Sequence, residues 1–445
     1  MVDLLSLAKA ACEAAMREGV DQAEAYVQES KRIDVDVEKS MIKSCNVVRD
    51  QGLSVRAFKD GGRGFAYTMK LTLEEAVETA RRAASLAKVA HKDPDFKTLP
   101  TPRTAPRVPG LFDPRLAELS ADQAVEWAVQ GIETAKAAAK ASVVQGGAGF
   151  SVDQAALVNS LGVAVEESAT SVGLSIFSIV KQGDDVGSYS EFDSARRLDD
   201  FDPGPVGGRA SEQALRFLGA RKVATGNMPV IFGPLAANGL LYALCGAANA
   251  ESVQRNRSFL AGWRGRQVAS ELVTIVDDGL YPAGLSSSSY DGEGVPRGET
   301  VIVDRGVLKT YLHNSYTANK AGELNTGHAA RGGYRGGVGI GPTNLRPRLG
   351  DWTSEEIIRE TREGLYVTMA GLSPNQATGD ISGSVDFGFK IEHGEIAYPV
   401  KNAMIGVNIL DLFKGIDAVS KDYREEPGLV MPTIRAQNVR VAGGA

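Results

Sequence analysis

The chain has 445 residues, 43% hydrophobic and 23% charged, which is too long for one compact core and points to two or three globular domains. A formal charge of −6 lacks the basic footprint of a nucleic-acid binder, and no apolar run approaches the roughly 18 residues of a membrane helix. The N-terminus has no basic, signal-like stretch, and the three cysteines (Cys12, Cys45, Cys245) form no CxxC pair, so a cytoplasmic protein without disulfides or a cysteine zinc site is expected.

Residues 2–18 carry apolar positions at helical spacing and stop before Gly19, a suitable C-terminal cap. Alternating stretches at 23–27, 33–37, 53–58 and 64–68, with a turn at Asp60-Gly61-Gly62, predict a β-meander with a hairpin. Thr72 and Glu75 make a capping box for a helix running to about Val89. Residues 1–92 thus read as one α+β unit. Six prolines within 93–114 mark a linker, because proline lacks a backbone donor and disfavours helix before it.

Ser120 and Gln123 open an alanine-rich helix reaching about Ala141, followed by strands at 142–150, 155–159 and 162–181, and a helix near 207–219. Residues 115–222 therefore form a second α+β unit of the same order. From Met228 a short apolar strand leads to an apolar helix around Leu240, Leu241, Leu244 and Cys245. Short strands with glycine-rich turns follow, interrupted by one helix from Thr353 to Glu363, capped by Gly364. The fold class expected is α+β: mixed helix-and-strand units, then a large β-rich, barrel-like domain over 223–445.

Tests for chemistry mostly fail. The four histidines, His91, His313, His328 and His393, are scattered, and none sits in an HExxH or HExxxH pattern that would place two ligands on one helix face. His393 reads as a hairpin turn, His91 as a residue following a helix, and His313 and His328 as loop residues. No GxSxG elbow or Walker A element occurs, and Ser286–289 reads as a loop. Cys245, on an apolar helix, reads as an inert thiol. The glycine-rich run from Arg331 to Gly341 does not match the dinucleotide fingerprint. Asp291 and Glu293, in Asp291-Gly-Glu293-Gly294-Val295-Pro296, read either as exposed acids on a tight turn or as a pair facing a ligand.

Several segments together resemble the TldD/PmbA family of metallopeptidase-related proteins. They are Val230-Ile-Phe-Gly-Pro234 through Ala247, the acidic turn at 291–295, the pair at 301–309 and 315–322, and the segments 364–371, 378–383 and 391–400. The resemblance implies that catalytic, TldD-type members bind a metal through an HExxxH helix, helped by a cysteine near the C-terminus. Here that helix falls on Leu240–Ala247, where the first His position is Tyr242, the Glu position is Ala243 and the second His position is Ala247. No cysteine follows Asp422. In this the chain looks like the PmbA (TldE) type, the non-catalytic subunit.

What the resemblance implies is no metal or cofactor in this chain, zinc in a TldD-like catalytic partner, and a heterodimer that handles extended peptides. Alternatives are a homodimeric peptide-binding protein and a peptidase with an unrecognised site. Asp291, Glu293, Gly294, Thr326, His328 and Arg331 are the expected peptide-contacting residues.

Overall fold

The computed structural model describes residues 3–444; Met1, Val2 and Ala445, at the ends of the expected first and last domains, lie outside it. Helix α1 (Leu4–Arg17) starts where the Asp3 side chain accepts from Leu5 N, and it ends before Gly19, whose φ of 80° suits glycine. Helix α2 (Leu73–Val89) starts at the expected cap, with Thr72 accepting from Glu75 N. Both helices turn stripes of alanine, such as Ala8, Ala11, Ala80 and Ala83, onto one face of a six-stranded antiparallel sheet.

The sheet runs β3-β2-β1-β4-β5-β6, from β1 (Gln22–Glu38), β2 (Met41–Lys59), β3 (Gly62–Thr68), β4 (Val143–Asn159), β5 (Ala164–Gln182) and β6 (Asp185–Ala195). Strands of the two expected α+β stretches are therefore hydrogen-bonded to each other, through β1 and β4 from Glu24↔Asn159 to Val37↔Gly146. The expected breaks at 28–32 and 151–154 do not exist. Polar side chains there interrupt the hydrophobic alternation, but the backbone is paired throughout, and one sheet face can be polar without ending a strand. Odd positions of β1 (Ala23, Ala25, Val27, Ile33, Val35, Val37) face the helices. Even positions, Glu24 among them, face the other way. Helices α3 (Pro114–Glu118), α4 (Ala121–Ala138) and α5 (Gly204–Arg216) follow the same logic, with α4 and α5 packing over the β4–β6 half. Segment 93–113 has no helix or named strand, yet Leu99, Val108 and Leu111 are buried.

In the C-terminal part, β7 (Gly226–Phe232) pairs with strands Glu363–Ala370 and Leu429–Gly443. The latter pairs with Ala403–Asn408, which pairs with Asp380–Glu392, which returns to Glu363–Ala370. These five strands close the barrel-like sheet that the sequence predicts. Helix α6 (Pro234–Ala247) shares one core with the barrel residues Val230, Phe232, Leu365 and Ile434. The helix expected over 353–363 stops at Arg359, and Gly364 is not its cap: Gly364 lies in a strand, opposite Ile391. Among the described residues no helix is long and apolar enough to cross a membrane.

Helix α2 lies so close to β3 that a Cβ on Gly64 would meet Ala83 O at 2.0 Å. Backbone cannot yield as a flexible side chain can. Gly64→Ala is expected to destabilise the chain by about 1–3 kcal/mol in urea unfolding; an unchanged midpoint would mean that the helix sits farther from the sheet.

Candidate functional site

A buried charge network joins the six-stranded sheet to the acidic turn. Glu24 and Arg56 are cross-strand partners on β1 and β2, on the face away from the helices. Arg56 grips Glu24 through two bonds, Nε at 2.9 Å and Nη2 at 2.8 Å, and Nη2 also reaches Glu293 at 3.0 Å. The other Glu293 oxygen accepts from Ser315 N at 2.9 Å. Arg331 donates to Glu24 and, through Nε, to Gly292 O at 2.5 Å, while its guanidinium lies 4.8 Å from the Tyr26 ring centre. Two cations and two anions are thus enclosed together. Coulomb attraction at low dielectric offsets their desolvation because each of the four carboxylate oxygens meets at least one donor.

The turn itself forms as the sequence predicts, with Asp291 N bonded to Val295 O at 2.8 Å. Its acids are not exposed, however: Asp291 is 6% and Glu293 3% accessible. Asp291 accepts from Glu293 N, Val295 N and Ala329 N, so its carboxylate holds the turn against strand Ala329–Arg331. Burial first, then the Glu293 charge, pushes the Asp291 carboxyl up to about 6. Gly294 has φ 79°, and a Cβ there would strike Val163 at 2.5 Å. Sequence reasoning missed Glu24 and Arg56. The one local signal is an acid inside the apolar run Ala23-Glu24-Ala25, which gains meaning only once the register is known.

Thr326 and His328 belong to a neighbouring buried cluster. Thr326 Oγ1 accepts from His313 N at 2.7 Å and lies 2.9 Å from His328 Nδ1. His328 Nε2 stands 3.6 Å from Asp277, whose carboxylate is fully buried and accepts from Thr343 N at 2.6 Å. Both histidines, expected in loops, are 2% accessible.

At α6, Tyr242 donates its hydroxyl to Thr343 O at 2.6 Å, and burial, then Asp277, holds the phenol in its protonated form. Ala243 is partly buried against the core and Ala247 is 2% accessible. A protonated phenol bonded to a carbonyl and two methyl groups do not fit zinc, which needs imidazole, thiolate or carboxylate donors. Among the described residues no group of three or more His, Cys, Asp or Glu could hold a metal ion. Cys245 nearby is fully buried, and burial followed by Asp277 raises its thiol well above the ordinary range.

Two hollows border the network. A cleft of about 590 Å³ is lined by Arg56, Phe58, Phe96, Glu293, Asn314 and Tyr316, among others. A smaller one, about 220 Å³, touches Tyr26, Asp291, Arg297 and Arg331, and Arg331 Nη1 is buried without an acceptor among the described residues. Thr326 and His328 line neither.

Arg56→Met leaves the buried Glu293 without a cation and Glu24 with Arg331 alone, and is expected to cost about 3–5 kcal/mol in urea unfolding; a loss below about 1 kcal/mol would mean that the network does not hold the two parts together. The Asp291 proton gives a second test. Between its ordinary 3.8 and about 6 the folded chain keeps a proton that the unfolded chain has released. This contribution is full below the unfolded value and is lost as pH rises through about 6, by roughly 3 kcal/mol in total. Stability of the wild type relative to Asp291→Asn should fall across that window; a flat difference contradicts the raised carboxyl.

Three family models match the chain: PmbA/TldA metallopeptidase domain 1 over residues 23–87, the PmbA/TldA metallopeptidase central domain over 114–218, and the PmbA/TldA metallopeptidase C-terminal domain over 225–443. An uncharacterized protein of Methanocaldococcus jannaschii is 32% identical, across 94% of this chain and 95% of its own. The metalloprotease PmbA of Escherichia coli O157:H7 is 29% identical, across 95% of this chain and 92% of its own. The crystal structure of TldE from Thermococcus kodakarensis superposes with a TM-score of 0.90 at 28% identity, covering 98% of this chain and all of that one. These matches run from the first strand of the sheet to the last strand of the barrel, and the chain belongs to the PmbA/TldD metallopeptidase family.

Proposed function

We propose that this chain is the PmbA/TldE-like, non-catalytic subunit of a TldD/TldE-type metallopeptidase, and that it holds extended peptides for a zinc-bearing, TldD-like partner to cut. The observation that carries this reading is α6, where Tyr242 is bonded to a backbone carbonyl and Ala243 and Ala247 offer no donor. Such a helix neither polarises a carbonyl nor lowers the pKa of water, so hydrolysis needs metal ligands from elsewhere. The full-length likeness to the Thermococcus TldE supports the same assignment.

The peptide-holding part has physical support in the sheet. β2 pairs with β3 only from Leu53 to Lys59. Among the described residues, its first half has β1 on one side and no strand on the other. An edge of unpaired amides and carbonyls takes an extended chain with little regard to sequence.

Mixing decides between the readings. The chain with a TldD-like chain is expected to digest an unfolded peptide that neither digests alone. Digestion by this chain alone would point to an unrecognised site, and peptide binding without activation of any TldD-like chain would point to a homodimeric binding protein.

A further inference from the structure

The 590 Å³ cleft beside the charge network has its acids engaged and its donors in surplus. Glu293 accepts from Arg56 and from Ser315 N. Asp93 accepts from Tyr316 Oη and Asp95 N, each at 2.9 Å, and Glu251 pairs with Arg255 at 2.8 Å. Each carboxylate on the wall thus has at least one donor already.

The donors differ. Arg56 commits Nε and Nη2 to Glu24 and Glu293, and its Nη1 has no acceptor among the described residues. Asn314 commits Oδ1 to Thr317 N at 3.0 Å, which fixes the amide orientation and leaves Nδ2 without an acceptor among the described residues. Arg63 also lines the cleft, is exposed, and has no acidic partner among the described residues. Arg56 and Asn314 are 6% and 5% accessible, so their spare donors sit where water competes weakly and a bond to an anion is strong. The network of Glu24, Arg56, Glu293 and Arg331 is neutral in sum and Arg255 is paired with Glu251, so Arg63 and Asp93 are the charges left on the wall; Asp93 is held by Tyr316 and the backbone of Asp95, and among the described residues Arg63 is the cation free to meet an anion. Phe58 and Phe96, stacked at 4.0 Å on the wall, offer an apolar surface beside these polar groups.

We infer that this cleft is a carboxylate subsite that takes the C-terminal carboxylate of a peptide, with Asn314 and Arg56 donating and Arg63 supplying the charge. The inference deepens the reading of the chain as a peptide-handling subunit and rests on it for the peptide, but carboxylate recognition can be measured on the full chain alone. It assigns a direction to the bound peptide, with its end held at the junction of sheet and turn.

Fluorescence anisotropy with N-terminally labelled tetra-alanine, as free acid and as C-terminal amide, tests it. The acid is expected to bind about tenfold more tightly, roughly one charge-assisted hydrogen bond. Arg63→Met alters an exposed side chain with no acidic partner among the described residues, and Asn314→Asp keeps the helix-capping oxygen while removing the donor. Arg63→Met should bring the acid to the affinity of the amide, and Asn314→Asp should weaken the acid more than the amide. Equal binding of acid and amide, no binding of either, or an acid preference that survives both substitutions would overturn the subsite. Unlabelled acetate competing as well as unlabelled tetra-alanine would keep the carboxylate site and reassign its occupant to a small free carboxylate. A chain that passes this test yet never activates a TldD-like chain loses the subunit reading and keeps the subsite; the reverse result loses only the subsite.

Discussion

One constraint organises the molecule: two arginines and two glutamates, enclosed where the six-stranded sheet meets the C-terminal part, must be neutralised together. Arg56 touches Glu24 from its own sheet and Glu293 from a turn 237 positions along the chain. Arg331 returns to Glu24 from the other end of the same region. Removing any one partner leaves a charge without compensation in a dry place, so the sheet and the turn can occupy only one mutual arrangement. The clefts on either side owe their shape to that arrangement. A hydrophobic contact would hold the parts as firmly but with less angular definition, since its energy depends on area and not on direction.

The same arrangement separates the two kinds of buried polar group. Asp291 serves the turn, with three backbone donors on its carboxylate. Glu293 serves the junction. Farther in, Tyr242 of α6 donates to Thr343 O and Thr343 N donates to Asp277, with His328 close by, so the one hydroxyl on this largely apolar helix is taken up by the core. Where family resemblance expects ligands in catalytic relatives, this chain has placed packing.

Local features of the fold were legible from residues alone. Thr72 before α2 and Gly19 after α1 are caps whose chemistry acts within one turn, and both stand where expected, although Glu75 turns its carboxylate to Lys70 instead of completing a capping box with Thr72. The short strands with glycine-rich turns after Met228 likewise anticipated the β-rich, barrel-like part. What depended on partners distant in sequence was not legible. The middles of β1 and β4 look like breaks because their side chains are polar, whereas pairing on both sides keeps them straight. Gly364 reads as a helix cap until Ile391 is known to lie opposite it. The burial of Asp291 and Glu293 follows from Arg56 and Ala329, neither of which is near them in sequence. A short acidic stretch between glycines looks the same whether water or arginine faces it.

The account stands on the chemistry of three side chains on α6. Tyr242, Ala243 and Ala247 cannot grip zinc, and the nearest buried thiol, Cys245, is held protonated. Incubation of the isolated chain with excess zinc, followed by desalting and elemental analysis, tests this most directly. Far less than one zinc per chain is the predicted result; one zinc retained per chain, lost on substitution of this chain's own residues, would contradict it.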